Sequence, residues 1–395
     1  MQLSLTKFFK DNDHYYNTGN YNPYNPCFIE PLLLDNSSSN ESLITDDVLY
    51  DLFEAIKLNQ EDALSSLYRV YVDGNLSPEY ERKFVNANLD RTNSLKEHLE
   101  GIASGKKFGL IINGIEKWSL PLADFAIKKL NGISETIDPE STFFEITMFA
   151  GNYGYTPFGI HMDDPYTTVV HFHLGPSSKQ MTLLTPDTFH KYNGPNKTSF
   201  SPDDLVNYGM TYNIYPGNVF ILPPHYYHVG YTSEFSIGIA VAVTKYPKEK
   251  VYKQALDNYL SFHDLSNLDK DVSSLNVDVL IEKSHKLYQE GLKSKCNLRY
   301  AYDGKLDQSC SLDYMLNNSC IVLSEVMDNT FFIRGNRFEI KSLCRSRFSK
   351  LVKVLSEDYK SKNEIIKIFN NYLPEVDADM IFSVFLQYGG FFQRV

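Results

Sequence analysis

The chain has 395 residues, with 38 Lys or Arg against 49 Asp or Glu, a formal net charge of −11. That length supports two or three domains with an ample core, and the acidity argues against a general nucleic-acid binder while suiting basic partners or plain solubility. Five scattered cysteines without CxxC spacing (Cys27, Cys296, Cys310, Cys320, Cys344) argue against a disulfide framework or a zinc knuckle. The N-terminus lacks a signal-peptide core and no apolar run reaches membrane-spanning length, so the expectation is a cytoplasmic protein with no membrane segment.

The first 45 residues mix aromatics with Asn and Pro and reach a surface loop at Ser37–Asn40. Thr45-Asp46-Asp47 caps a predicted helix in which Leu49, Leu52, Phe53 and Ile56 recur at helical spacing. Lys107–Gly114 reads as a buried strand and Leu120–Leu130 as a helix. From Phe143 to Val243 the pattern changes to short runs at 143–149, 167–174, 180–185, 211–215, 218–222 and 235–243, punctuated by turn residues. Short strands at such spacing predict a β-sandwich or barrel. After Lys245-Tyr246-Pro247 helical spacing returns, first in Val251, Ala255, Leu256 and Tyr259, then in Leu280, Ile281, His285, Leu287 and Tyr288. Beyond Asn329 the order is a hairpin over Phe331–Ile340, helices at 345–357, 361–372 and 378–388, and the run Phe391-Phe392-Gln393. That order predicts a small winged-helix module. Its basic residues, among them Arg337, Arg345 and Arg347, form either a phosphate-binding face or a solvated helix surface.

The chemistry concentrates in the β region. His161-Met162-Asp163 follows the first run, and about 65 residues later His228 closes Pro216–His228. In an extended chain, side chains two apart share a face, so the pair presents an imidazole beside a carboxylate. A histidine from a facing strand completes a two-His-one-carboxylate set, which leaves positions open on non-haem Fe(II) for a co-substrate and O2. The spacing of Gly217, Pro223 and His228 matches the second cupin signature, except that His225 stands where that signature has glycine. His161, Asp163 and His228 are therefore the candidate catalytic and metal-binding residues. The rival pair His171 and His173 can be ligands, pocket walls or structural histidines.

Iron at such a site needs an electron source to activate O2, and a 2-oxo acid supplies it by bidentate binding and oxidative decarboxylation. Its distal carboxylate must meet a cation. Lys179 follows the Gly175–Ser178 turn, and no arginine occurs between Arg91 and Arg299, so Lys179 is the candidate, with a solvated turn lysine as the bland alternative. Ser236 and Thr182 are candidates to add a hydroxyl to the same carboxylate. Tyr153, Tyr155, His171, His173, His225, Tyr226 and Tyr227 flank the ligand-bearing strands and are the candidate substrate-binding wall. Such walls, in an acidic protein, suit an extended peptide with a polar or cationic side chain such as Arg or His.

These residues resemble the JmjC-type Fe(II)/2-oxoglutarate oxygenases of the cupin superfamily, in particular the ribosomal-oxygenase branch. The resemblance is carried by Gly159-Ile160-His161-Met162-Asp163, an apolar and aromatic strand from Tyr166, Lys179, Tyr215–Pro224 and His228–Tyr231. Upstream, Leu110–Trp118 and Thr45–Leu49 are similar to that branch's strand and early helix. It implies a double-stranded β-helix (cupin jelly roll) catalytic core with helical additions, then a helical dimerisation section and a C-terminal winged helix. The corresponding boundaries are 1–245 for the catalytic domain, with an N-terminal section 1–140 and a barrel 141–245, then 246–325 and 326–395. It further implies Fe(II), 2-oxoglutarate and O2 as cofactor and co-substrates, ligation by His161, Asp163 and His228, and anchoring by Lys179. A homodimer and a polypeptide substrate hydroxylated at a side-chain carbon follow, the substrate being a ribosomal protein or a biosynthetic precursor peptide. Alternatives are a non-catalytic cupin and winged-helix binding module, or a small-molecule cupin oxygenase.

Overall fold

The computed structural model describes residues 30–35, 44–58, 68–130, 142–245, 248–262, 277–296, 313–316, 321–333, 335–340, 344–374, 377–388 and 390–394, with single positions at 7 and 64. The expected loop at Ser37–Asn40 and the Tyr246-Pro247 junction lie outside them, as do the side chains of Tyr259 and Leu280. The chain divides into two compact units, one of residues 1–129 and 144–244, the other of 130–143 and 245–395.

The first unit carries strands β1 (Leu32–Leu34), β2 (Tyr68–Val72), β3 (Asn75–Leu76), β4 (Phe108–Ile112), β5 (Thr142–Gly151) and β6 (Gly154–Tyr155). It continues with β7 (Thr167–Pro176), β8 (Lys179–Leu184), β9 (Met210–Ile214), β10 (Val219–Leu222), β11 (Tyr227–Thr232) and β12 (Ser236–Lys245). One sheet has the order β1-β10-β7-β12-β5-β4-β2-β3, the other β6-β11-β8-β9. From β5 to β12 the chain alternates between the sheets, with β8 and β9 as the one adjacent pair in the same sheet, which is the winding of a double-stranded β-helix.

Alternation along each strand sorts the side chains. In β7, Phe172 meets Phe125 of the helix Leu120–Leu130 edge-on at 5.0 Å, so this helix covers the outer face of the long sheet. The opposite face of β7 presents Val169, His171 and His173 towards the second sheet. There Met181 and Leu183 of β8 pack with Phe220 and Leu222 of β10, Tyr226 and Ile214. The other face of the short sheet holds a separate cluster of Leu184, Tyr227 and Val229 with Ile160, Phe189 and Leu205.

Several elements lie outside the sequence expectations. In the first unit they are β1, β2, β3, β6 and β11, and the helices Pro78–Val85, Leu95–Ala103 and Pro186–Asn193; in the second, strands at Asp313–Leu316 and Ile321–Leu323 stand within the section 246–325 expected to be helical. The strand β11 shows no hydrophobic alternation because both of its faces are buried. The helix Leu95–Ala103 carries a legible start, a capping box in which Ser94 and Glu97 each satisfy the other's backbone N–H.

The second unit contains the helices Lys248–Phe262 and Val277–Cys296, joined by a hydrogen bond from the Tyr288 hydroxyl to Gln254 at 3.0 Å. Its strands are β13 (Asp313–Leu316), β14 (Ile321–Leu323), β15 (Thr330–Ile333), β16 (Asn336–Glu339), β17 (Lys360–Ser361) and β18 (Phe391–Arg394), in the sheets β17-β13-β18 and β14-β15-β16. The helices Arg345–Glu357, Lys362–Tyr372 and Ala378–Gln387 fall where the sequence periodicity puts them. Phe331, Phe348, Phe369, Phe385 and Phe391 form one core with Leu316, so β13 packs with the C-terminal helices despite its distance along the chain. Two of the basic residues have partners within the unit: Arg337 pairs with Glu339, and Arg345 donates to the Ser324 carbonyl at 2.8 Å.

Candidate metal and co-substrate site

The site begins where the chain leaves β6 and crosses to β11. Gly159 adopts φ 70°, and a Cβ there would lie 2.3 Å from the Ser199 carbonyl oxygen, so only glycine fits. The following residues run antiparallel to β11. The His161 N–H donates to the His228 carbonyl at 3.2 Å and the His228 N–H to the His161 carbonyl at 2.7 Å. This two-way pairing puts the imidazoles side by side, with ring centroids 4.5 Å apart. Asp163, two residues beyond His161, comes round to both: its carboxylate oxygens are 3.5 Å from His161 Nε2 and 3.7 Å from His228 Nε2. One atom from each residue lies within 4.8 Å of the others.

These separations fit a cation. Bonds of about 2.1 Å at roughly right angles require ligand atoms about 3 Å apart, reached here by small side-chain shifts. The backbone also selects the free nitrogen. His161 Nδ1 faces the Gly159 carbonyl at 3.0 Å and His228 Nδ1 the Tyr226 carbonyl at 3.4 Å. With Nδ1–H donating, each Nε2 lone pair is left on the Asp163 side, the arrangement that metal-binding histidines use. Burial alone would raise the Asp163 carboxyl, but His228 and His161 outweigh it and bring it down to about 2. Burial holds His228 near 4 despite the attraction of Asp163. Burial works against a charged His161 too, but its contact with Asp163 and the Gly159 carbonyl leaves it raised. At neutral pH the set is one carboxylate, one neutral imidazole and one imidazole that Asp163 holds nearer to protonation.

One strand step away lies the second part of the site. Gly230 is two residues from His228 on the same face of β11, about 7 Å along the strand. The Lys179 side chain crosses it: a Cβ on Gly230 would meet Lys179 Cε at 2.8 Å and Nζ at 3.3 Å. Lys179 is 4% exposed, and among the described residues no carboxylate lies within ion-pair distance of it. Its ammonium instead faces the rings of Phe149 at 5.2 Å and Tyr153 at 5.9 Å. A buried cation without an anion is costly, which a bound dianion would relieve.

His171 and His173 complete this end. Both are buried, with rings 6.2 Å apart. His171 lies over Gly238, where a Cβ would meet its Cε1 at 2.5 Å. His171 Nε2 and His173 Nδ1 are buried with no hydrogen-bond partner, while His173 Nε2 faces the Ser177 carbonyl at 2.7 Å. Burial lowers both imidazoles and the Lys179 charge adds to it, His173 to about 4. They are not part of the His161, Asp163, His228 cluster and belong to the wall beside Lys179.

The other expected residues divide. Ser236 is buried and its hydroxyl donates to Thr232 at 3.2 Å. Thr182 has the opposite parity to Lys179 on β8, and its hydroxyl pairs with Thr211 at 2.9 Å, so it does not share a carboxylate with Lys179. Tyr155 and Tyr227 likewise turn to the far face of the short sheet: Tyr155 packs against Tyr231 at 4.8 Å, and Tyr227 stacks on Phe189 at 3.7 Å. Both are corrections to the expected wall, and for Tyr227 alternation is the reason, since its neighbour His228 faces inward. Tyr226 is part of the core between the sheets. His225 is buried and adopts φ 79°, the backbone for which the cupin signature uses glycine, and burial lowers its imidazole to about 4. The sequence expectations do not include Phe149, Thr156, Phe158 or Arg69, all of which lie at or beside the site.

No family model matches the chain, and no curated protein sequence matches it. Among solved structures, the ribosomal oxygenase YcfD from Escherichia coli with cobalt and succinic acid aligns with 93% of this chain and 95% of its own, at 11% identity and a TM-score of 0.41. The same protein with cobalt and 2-oxoglutarate aligns over the same shares at 12% identity and 0.40. A further structure of E. coli YcfD covers 92% and 95% at 14% identity and 0.41. At such scores the likeness decides nothing about activity, and the functional reading rests on the residues of the site.

Proposed function

We propose that this protein is an Fe(II)- and 2-oxoglutarate-dependent oxygenase that hydroxylates a side chain of a polypeptide. The observation that carries the reading is the pairing of two features on one face of β11. A His-Asp-His cluster suited to a divalent metal stands one strand step from a buried lysine that has no carboxylate partner among the described residues. A cupin used only for binding has no need of that lysine.

In this reading His161, Asp163 and His228 hold Fe(II). With 2-oxoglutarate bound, the metal supplies O2 activation coupled to decarboxylation, one oxygen atom entering succinate and the other the substrate. The chain's own part is placement and exclusion. Lys179 holds the distal carboxylate, and Phe149 and Tyr153 keep water from its ammonium. His171 and His173 stay neutral at neutral pH and close the same end. The substrate class, a ribosomal protein or a precursor peptide, comes from the family resemblance of the HxD and Pro216–His228 segments.

The test supplies peptide mixtures and free amino acids together with Fe(II), 2-oxoglutarate and O2. Succinate formation coupled to a gain of one oxygen atom in peptides alone is the expected result. Efficient hydroxylation of a free amino acid with no peptide modified would make this a small-molecule enzyme. We propose as part of the same reading that the section 246–325 pairs two copies of the chain. Light scattering at micromolar concentration then gives twice the 45.4 kDa chain mass, and a clean monomer would remove the dimer but not the chemistry.

A further inference from the structure

We infer that Arg69 anchors an acidic residue of the polypeptide substrate beside the reacting position, a specificity contact that rests on the oxygenase reading. The strand β2 alternates, with Tyr68, Val70 and Val72 buried on one face and Arg69 and Tyr71 half-buried on the other. Arg69 pairs with Ile111 of β4, and Ile111 pairs with Phe149 of β5. Residues in register across neighbouring strands share a face. Arg69 is therefore on the same face of the long sheet as Phe149, whose ring meets Lys179 at 5.2 Å and His171 at 6.5 Å.

The contacts carry Arg69 towards the metal end of that face. Its guanidinium lies over the Phe158 ring at 5.1 Å, and Phe158 stands edge-on to His161 at 5.7 Å. Tyr71 supports Phe158 from β2 at 6.0 Å. Arg69 is thus one aromatic ring away from His161. Lys179 of β8 instead lies over Gly230, two residues along β11 from His228, so the two cations come from different strands.

Apart from the Phe158 ring, no described group is seen to engage the Arg69 charge. Its Nε is buried without a hydrogen-bond partner, and among the described residues no carboxylate lies within ion-pair distance. A guanidinium is a rigid fork of N–H donors that matches a carboxylate in two parallel hydrogen bonds. The Arg69 guanidinium carbon lies over the Phe158 ring and its Nε is left without a partner. The occupant that fits is the carboxylate of an Asp or Glu flanking the hydroxylated residue.

The test incubates the full-length protein, loaded with Ni(II) and with or without 2-oxoglutarate, with an equimolar pool of short peptides. Each sequence is made in an Asp/Glu form and an Asn/Gln form, and the retained fraction is read by mass spectrometry. The expected result is about tenfold enrichment of the acidic forms on the wild-type protein, the size of one charge-assisted contact. A protein of net charge −11 repels acids in bulk, so such enrichment marks a local cation. Arg69→Gln abolishes the preference and Arg69→Lys keeps part of it, with melting curves and Ni(II) stoichiometry checked on each variant. No acidic enrichment on the wild type, or enrichment that survives in Arg69→Gln, overturns the assignment. Separate titration of 2-oxoglutarate into the same Ni(II) protein reports on the oxygenase reading, so the two can fail independently.

Discussion

Replacing Asp163 with Ala is expected to abolish both Fe(II) retention and turnover, and His161→Ala and His228→Ala are expected to do the same. The carboxylate offers oxygens within 3.5 Å and 3.7 Å of the two Nε2 atoms, so its removal takes away a ligand and the negative charge that offsets part of the metal's. Removing only a group that orients a ligand typically costs 10–100-fold in metal affinity, and loss of a ligand itself should exceed roughly the upper figure. The proton balance gives a second readout. His161 is held above its usual value by Asp163 and must lose its proton on ligation, so metal retention strengthens as the pH rises through that value and weakens below it. His171→Ala and His173→Ala should be milder. Full Fe(II) stoichiometry and activity in Asp163→Ala would end the three-ligand assignment, as would loss of iron on changing His171 while His228→Ala keeps it.

Lys179→Ala is expected to retain the metal and lose the co-substrate. In the bound state the ammonium and a carboxylate would be a desolvated pair, and truncating one partner of such a pair costs about 2–5 kcal/mol. That corresponds to a rise of roughly 30-fold or more in Kd for 2-oxoglutarate. Lys179→Arg keeps the charge and part of the affinity, although its longer fork must fit over Gly230. Without ligand the sign reverses. Lys179 is a buried cation lacking an anion, so Lys179→Met should leave the apoprotein at least as stable as the wild type in a melting curve. An unchanged Kd for 2-oxoglutarate in Lys179→Ala refutes its role.

The clustering of His161, Asp163 and His228 was legible because its signals are local. His161 and Asp163 are two apart, and the Gly217, Pro223, His228 spacing is that of one turn and one strand entry. Even the departure at His225 has a local cause, since φ 79° is a conformation that histidine tolerates better than β-branched residues do. Side-chain direction was less legible. Thr182, Tyr155 and Tyr227 lie within a few residues of the right strands but on the wrong face, because a shift of one residue exchanges the faces of a strand. Arg69 was out of reach for another reason. Its place depends on the register of β2, β4 and β5 and on Phe158, about 90 residues away in the chain. The strand β11 was hidden by burial on both sides, which erases the alternation that marks a half-exposed strand.

The most direct test of the central claim is an anaerobic titration of 2-oxoglutarate into the Fe(II)-loaded protein, followed by visible absorption. The account predicts a charge-transfer band that saturates at one 2-oxoglutarate per chain, needs far more 2-oxoglutarate in Lys179→Ala, and is missing in Asp163→Ala. Fe(II) that binds but gives no band with 2-oxoglutarate, or a band unchanged in both variants, would contradict it.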